Sequence, residues 1–167
     1  MIDEMKEYTT RVYLAGPFFN EEQLERISYI ETKLDMYGLD VFSPRHASLI
    51  KPGCSKEDMI ETFKGNVTHI DKADLVLAIL DGNDTGTIWE AGYAYAKQVP
   101  TIYFNETRPK DKGPNLMLAE STGLPYIMNT DQEDARETLS KILRDLSIGG
   151  VDFIKEKYKP SEFKEVE

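Results

Sequence analysis

The chain has 167 residues, with thirty acidic against twenty basic side chains and a formal net charge of -10. That length suits one domain with one core, and that charge repels phosphate backbones and anionic lipid, which excludes nucleic acid and membrane surfaces as partners. The single Cys54 forms no internal disulfide, no apolar run nears the roughly 18 to 20 residues of a bilayer span, and no signal or transit pattern opens the sequence, so a reducing cytoplasm is expected.

Behind a polar N-terminal arm, Arg11-Val12-Tyr13-Leu14-Ala15 reads as strand one, closed by Gly16-Pro17. Helical periodicity covers 21–37 and stops at Gly38. Val41-Phe42 gives a short second strand, ended by Ser43-Pro44-Arg45, because the residue before a proline is pushed to extended backbone. Ser55-Lys56-Glu57-Asp58 has the form of a capping box and opens a second helix. Residues 73–79 make the strongest strand: a continuous apolar run suits burial on both faces of a parallel sheet. Asp81-Gly82-Asn83-Asp84 follows as turn formers, then a helix that carries Glu90 and ends before Pro100. A fourth strand is expected at 101–104, a short helix at 115–120, a fifth strand at 125–128 and an amphipathic helix at 132–146.

Alternating strands and helices predict one flavodoxin-like (Rossmann-like) α/β domain over residues 1–148, with five parallel strands in the order 2-1-3-4-5 joined by right-handed crossovers. A charged tail over 149–167 contains Phe153, Ile154, Tyr158 and Phe163, which offer it something to pack. In such a sheet, ligands bind outside the carboxyl ends of the strands where the order reverses, here between strands one and three. The loops at that point, 16–20 and 81–86, hold a dense mixture of glycine, aromatic and acidic residues. A small-molecule crevice is expected there.

Its chemistry is narrowed by the motifs the sequence lacks. There is no Gly-x-Gly-x-x-Gly fingerprint, no phosphate loop and no metal-spaced His and Cys cluster, so neither a cofactor nor a metal is expected. His46 and His69 neighbour no nucleophile elbow. The remaining candidates are carboxylates: Asp74 before strand three, Asp81 and Asp84 after it, and Glu90 in the second turn of the next helix. Clustered carboxylates beside aromatics suggest glycosidic chemistry. A helix N-terminus favours an ionised Glu90 by roughly 0.3 to 1 kcal/mol.

Tyr13 with Gly16, Phe18 and Phe19, then Asp74, then the segment from Asp84 through Gly86, Glu90, Gly92 and Tyr93 to Ala94, and finally Asn115-Leu116-Met117, resemble the nucleoside 2-deoxyribosyltransferase family over about residues 11–128. The resemblance implies a flavodoxin-like fold, deoxynucleosides and free nucleobases as small-molecule partners, and a homo-oligomer, dimer or hexamer, with shared sites. It implies that Glu90 is the nucleophile, oriented by Tyr13, and that Asp74 protonates the departing base. Asp84 would bind the sugar 5'-hydroxyl, helped by Asn115 and with Met117 alongside, both from a neighbouring subunit. Phe18 and Phe19, following Gly16, would wall the base. Many relatives carry a base-contacting Gln where this chain has Ser48, so the motif leaves base preference open. Simpler roles compete: Asp84 and Asn115 as helix caps, Tyr13 and the phenylalanines as core packing. Two other functions compete: a deoxynucleoside 5'-monophosphate N-glycosidase, against which Asp84 argues because its carboxylate would repel the phosphate, and a non-catalytic nucleoside-binding module.

Overall fold

The computed structural model describes residues 9–167, so most of the polar N-terminal arm lies outside it. Strands β1 (Arg11–Ala15), β2 (Asp40–Phe42), β3 (Leu75–Ile79), β4 (Thr101–Asn105) and β5 (Tyr126–Met128) form one sheet in the order β2-β1-β3-β4-β5. Every neighbouring pair is parallel, with Tyr13 opposite both Phe42 and Val76. The flavodoxin-like order expected from the alternation of elements is the order found.

Side-chain alternation along β1 divides the core between two faces. Val12 and Leu14 point to the layer of α1 (Glu21–Met36) and α6 (Ala135–Lys157), packing with Ile27, Ile30, Leu34, Leu139 and Leu143. Tyr13 and Ala15 point to the layer of α3 (Lys56–Lys72) and α4 (Thr85–Ala96), with Ile70, Ala91 and Ala94. The capping box is formed, Ser55 accepting from the Asp58 amide and Asp58 from the Ser55 amide. Gly16 lets β1 end against β3, since a Cβ there would lie 2.9 Å from Ile79 Cδ1.

Three elements differ from the sequence reading. Pro44 ends β2 as expected but also opens a one-turn helix, α2 (Pro44–Ala47), its fixed φ being suited to a first helical position. The helix expected over 132–146 begins at Ala135 and runs to Lys157, across a kink where Gly150 takes φ 73°. Gly149-Gly150 hid that continuation, because adjacent glycines read as a helix end. Finally Asp81 belongs to the core rather than to the crevice.

Asp81 is 2% exposed and accepts from the Thr107 amide at 2.8 Å. Arg26, 4% exposed, lies 3.6 Å from it and bonds Glu106 at 2.7 Å and Glu22 at 2.8 Å. Arg136 adds a second bond to Glu106 at 2.7 Å and one to Glu25 at 2.8 Å. This network ties the ends of β3 and β4 to α1 and α6. The tail folds back too: Phe163 meets Tyr126 edge-on, and the Ser161 hydroxyl accepts from the Tyr126 amide at 3.0 Å.

Arg26→Leu leaves Asp81 and Glu106 with too little positive charge and is expected to cost about 3 to 5 kcal/mol in urea unfolding. Lys141→Ala, which removes an exposed i,i+4 pair with Glu137, should stay within about 0.5 kcal/mol of wild type.

Candidate active site

A cleft of about 780 Å³ opens where β1 and β3 end, a volume suited to a small organic molecule. One wall is the loop after β1, with Gly16, Phe18 and Phe19. The second is the connection from α2 into α3, with Ser48, Ile50 and Cys54, continued by Met59, Thr62 and Asn66 of α3. The third is the start of α4, with Asp84, Gly86, Thr87 and Glu90. Gly82 at φ 81° and Asn83 at φ 53° turn the chain sharply between β3 and α4, which brings Asp84 to the helix N-terminus.

Glu90 accepts a 2.5 Å hydrogen bond from the Tyr13 hydroxyl. Tyr13 is fully buried under Phe42, ring centroids 5.6 Å apart, so its hydroxyl has little freedom to turn away. Burial, reinforced by the nearby carboxylate, raises the phenol pKa and keeps it a donor. Four residues before Glu90 stands Gly86, which also lines the cleft and where a Cβ would lie 3.2 Å from Asp84 Oδ2. Ala94, four residues after it, is packed into the core, so the open space lies toward the helix start.

Burial dominates the electrostatics of Glu90. It raises the carboxyl pKa, the Tyr13 bond opposes the rise, Asp84 adds to it, and the balance is about 7. The sequence expectation of a helix-stabilised anion is therefore corrected. Glu90 lies in the second turn, where the dipole's influence has fallen away, and desolvation prevails.

Asp84 does cap α4: its Oδ2 accepts from the Thr87 amide at 2.8 Å and the Thr87 hydroxyl at 2.9 Å. Its place in the cleft lining means that capping and site exposure coexist. Phe19 is 71% exposed, its ring centroid 4.9 Å from that of Phe18. Asn115 caps α5 (Leu116–Ser121), accepting from the Met117 amide at 3.0 Å. Neither Asn115 nor Met117 lines this chain's own cleft, and Met117 is 74% exposed.

Asp74 is not brought to the cleft. It precedes β3, at the amino edge of a parallel sheet whose crevice is at the carboxyl edge, a separation of about 3.3 Å for each intervening strand residue. There it accepts from the Arg11 amide at 2.8 Å and pairs with the Arg11 guanidinium at 3.1 Å. The cleft instead contains Asn66, which motif reading missed. The available signal was spacing: Met59, Thr62 and Asn66 recur at i, i+3 and i+7, one stripe of a helix.

The family model for nucleoside 2-deoxyribosyltransferase matches residues 12–126. The chain belongs to the nucleoside 2-deoxyribosyltransferase family. A solved 2-deoxyribosyltransferase from Bacillus psychrosaccharolyticus is 34% identical with a TM-score of 0.69, the match covering 92% of this chain and 100% of that one. A Clostridium botulinum CMP N-glycosidase shares the fold at 18% identity and a TM-score of 0.55, over 78% of this chain and 98% of its own. An uncharacterised protein of Ureaplasma parvum is 27% identical over 144 residues, 80% of each chain. This deoxyribosyltransferase-family chain is thus a glycosyl-transferring enzyme of the nucleoside type, and among its described residues no helix is long and apolar enough to cross a membrane.

The raised Glu90 pKa links stability to pH. Below about pH 4.5 folded and unfolded chains are both protonated; between there and about pH 7 the unfolded chain ionises first, so stability falls as pH rises, and the loss persists above. Glu90→Gln keeps an acceptor for Tyr13 but carries no charge. It should match wild type at pH 4 and exceed it by about 2 to 3 kcal/mol at pH 8, read from denaturant melts. Asp84→Asn, which keeps a capping oxygen and removes the neighbouring charge, should narrow the window.

Proposed function

We propose that this enzyme exchanges the base of 2'-deoxyribonucleosides through a covalent 2-deoxyribosyl ester on Glu90. The observation that carries it is the 2.5 Å bond from a buried tyrosine to one oxygen of a carboxylate in the small-molecule cleft. With Oε1 held by Tyr13, Oε2 is the attacking atom. The C1'–nitrogen bond breaks with its electron pair going to the base, and Oε2 bonds to C1'. An acceptor base then attacks C1', the ester bond breaks, and the acceptor loses its ring proton. A 2-deoxy sugar lacks the electron-withdrawing hydroxyl beside C1', so positive charge builds there and the carboxylate collects it.

Asp84, fixed by its two bonds to Thr87, accepts from the sugar 5'-hydroxyl. Phe18 and Phe19 hold the flat base, with Gly16 allowing the approach and Ser48 at the base's edge. Asn115 and the exposed Met117 complete the cleft of a neighbouring copy, which makes the enzyme a dimer or hexamer with shared sites acting in nucleoside salvage. Asp74 has no part.

Incubation with thymidine plus adenine, or deoxyinosine plus adenine, should yield deoxyadenosine by chromatography, and mass spectrometry without an acceptor should show a deoxyribosyl adduct. Glu90→Ala should abolish the adduct and lower turnover by on the order of 10,000-fold or more. For kcat/KM, the rate should climb with pH through about 7 as Glu90 ionises. A deoxynucleoside 5'-monophosphate cleaved faster than the nucleoside would favour the glycosidase instead.

A further inference from the structure

The exclusion of Asp74 leaves the departing base without the acid assigned to it. Among the described residues, the carboxylates lining the cleft are Asp84, assigned to the sugar 5'-hydroxyl, and Glu90, committed to C1'. Lys51, the one cation lining it, belongs to the exposed connection at the rim. Deeper in stands Asn66. Because α3 feeds β3 at the amino edge of the sheet, it descends from the cleft mouth, and Met59, Thr62 and Asn66 follow one stripe downward in that order. Helices α3 and α4 pack together, so Asn66 and Glu90 line the same cleft from two helices.

A carboxamide is chemically different from an acid at such a place. It gives two N–H donors and a carbonyl acceptor, and it transfers no proton. We propose that Asn66 binds the edge of the departing base and stabilises it by a neutral hydrogen bond, so that the base leaves as a hydrogen-bonded anion and takes its proton from water. The balance closes over a full exchange: the leaving base takes up one proton from solvent, and the acceptor base releases one when its nitrogen bonds to C1'. The two-sided carboxamide also accommodates bases that present either an acceptor or a donor, which makes Asn66 a determinant of base choice together with Ser48.

This rests on the Glu90 ester, and the test separates the two. Asn66→Ala and Asn66→Leu both remove the hydrogen bond; leucine keeps the volume, and both residues favour a helix more than asparagine does. Each variant is compared with wild type on 2'-deoxyinosine, on thymidine and on 4-nitrophenyl 2-deoxyriboside, whose leaving group departs as a stable anion without help. Adduct on Glu90 is followed by mass spectrometry throughout. The expected result is a loss of about 10- to 100-fold on the nucleosides and a loss at least about tenfold smaller on the aryl compound. Equal losses on all three substrates, or none on any, would overturn the role of Asn66 while leaving the ester standing. Absence of adduct from every substrate in wild type would overturn the ester itself, and this proposal with it.

Discussion

The hydrogen bond from Tyr13 to Glu90 joins the central strand to the helix that carries the proposed nucleophile. Both ends are fixed by packing rather than by the bond alone. Tyr13 lies under Phe42 with no exposed surface, while Ala91 and Ala94, buried on the face of α4 that turns toward Tyr13, set the rotation of the helix. Rotating α4 to place Glu90 elsewhere would expose alanines and bury polar atoms. The carboxylate is thus held by the same contacts that build one face of the core, and its pKa of about 7 reflects that enclosure.

The acids of this chain are sorted by their surroundings. Asp81 and Glu106 sit among arginines and backbone amides on the α1 and α6 side, and hydrogen bonding from Arg136 with help from Arg26 holds Glu106 below the usual carboxylate range. Asp74 is paired with Arg11 at the amino edge. Among the described residues Glu90 has no cation against it, only a phenol and a second carboxylate, and burial moves it the other way. A carboxylate tied to a guanidinium is a poor nucleophile because its charge is already used. Separation of arginines from the cleft floor keeps Glu90 available.

Period, composition and turn chemistry made most of the fold legible. A continuous apolar run at 75–79 has few alternatives to a buried parallel strand, and Gly82-Asn83 marked the turn that the backbone makes with two positive φ values. The segment from Asp84 to Ala94 pointed to Glu90 because its residue types and spacing are specific. What escaped was set by depth. An aspartate just before a strand and an asparagine in the middle of a helix carry no local sign of which end of the sheet they face, and direction along a parallel sheet decides it. Gly149-Gly150 misled for another reason: a kink and a terminus use the same residues, and only the buried Ile154 beyond them shows that the helix resumes.

A nucleophile in an exchange reaction must also leave, and the two demands pull its basicity in opposite directions. A fully solvated carboxylate leaves easily but attacks weakly; a bare, buried one attacks strongly and forms an ester that resists displacement. In the proposed exchange, burial of Glu90 would supply basicity, and the Tyr13 hydroxyl, donating to the oxygen that does not attack, would spread the charge again when the ester breaks. The phenol would stay protonated through both proposed halves because burial raises its own pKa. Under that proposal the donor would serve ester formation and ester breakdown without moving a proton, which suits a cycle whose two steps are the same reaction run in opposite directions.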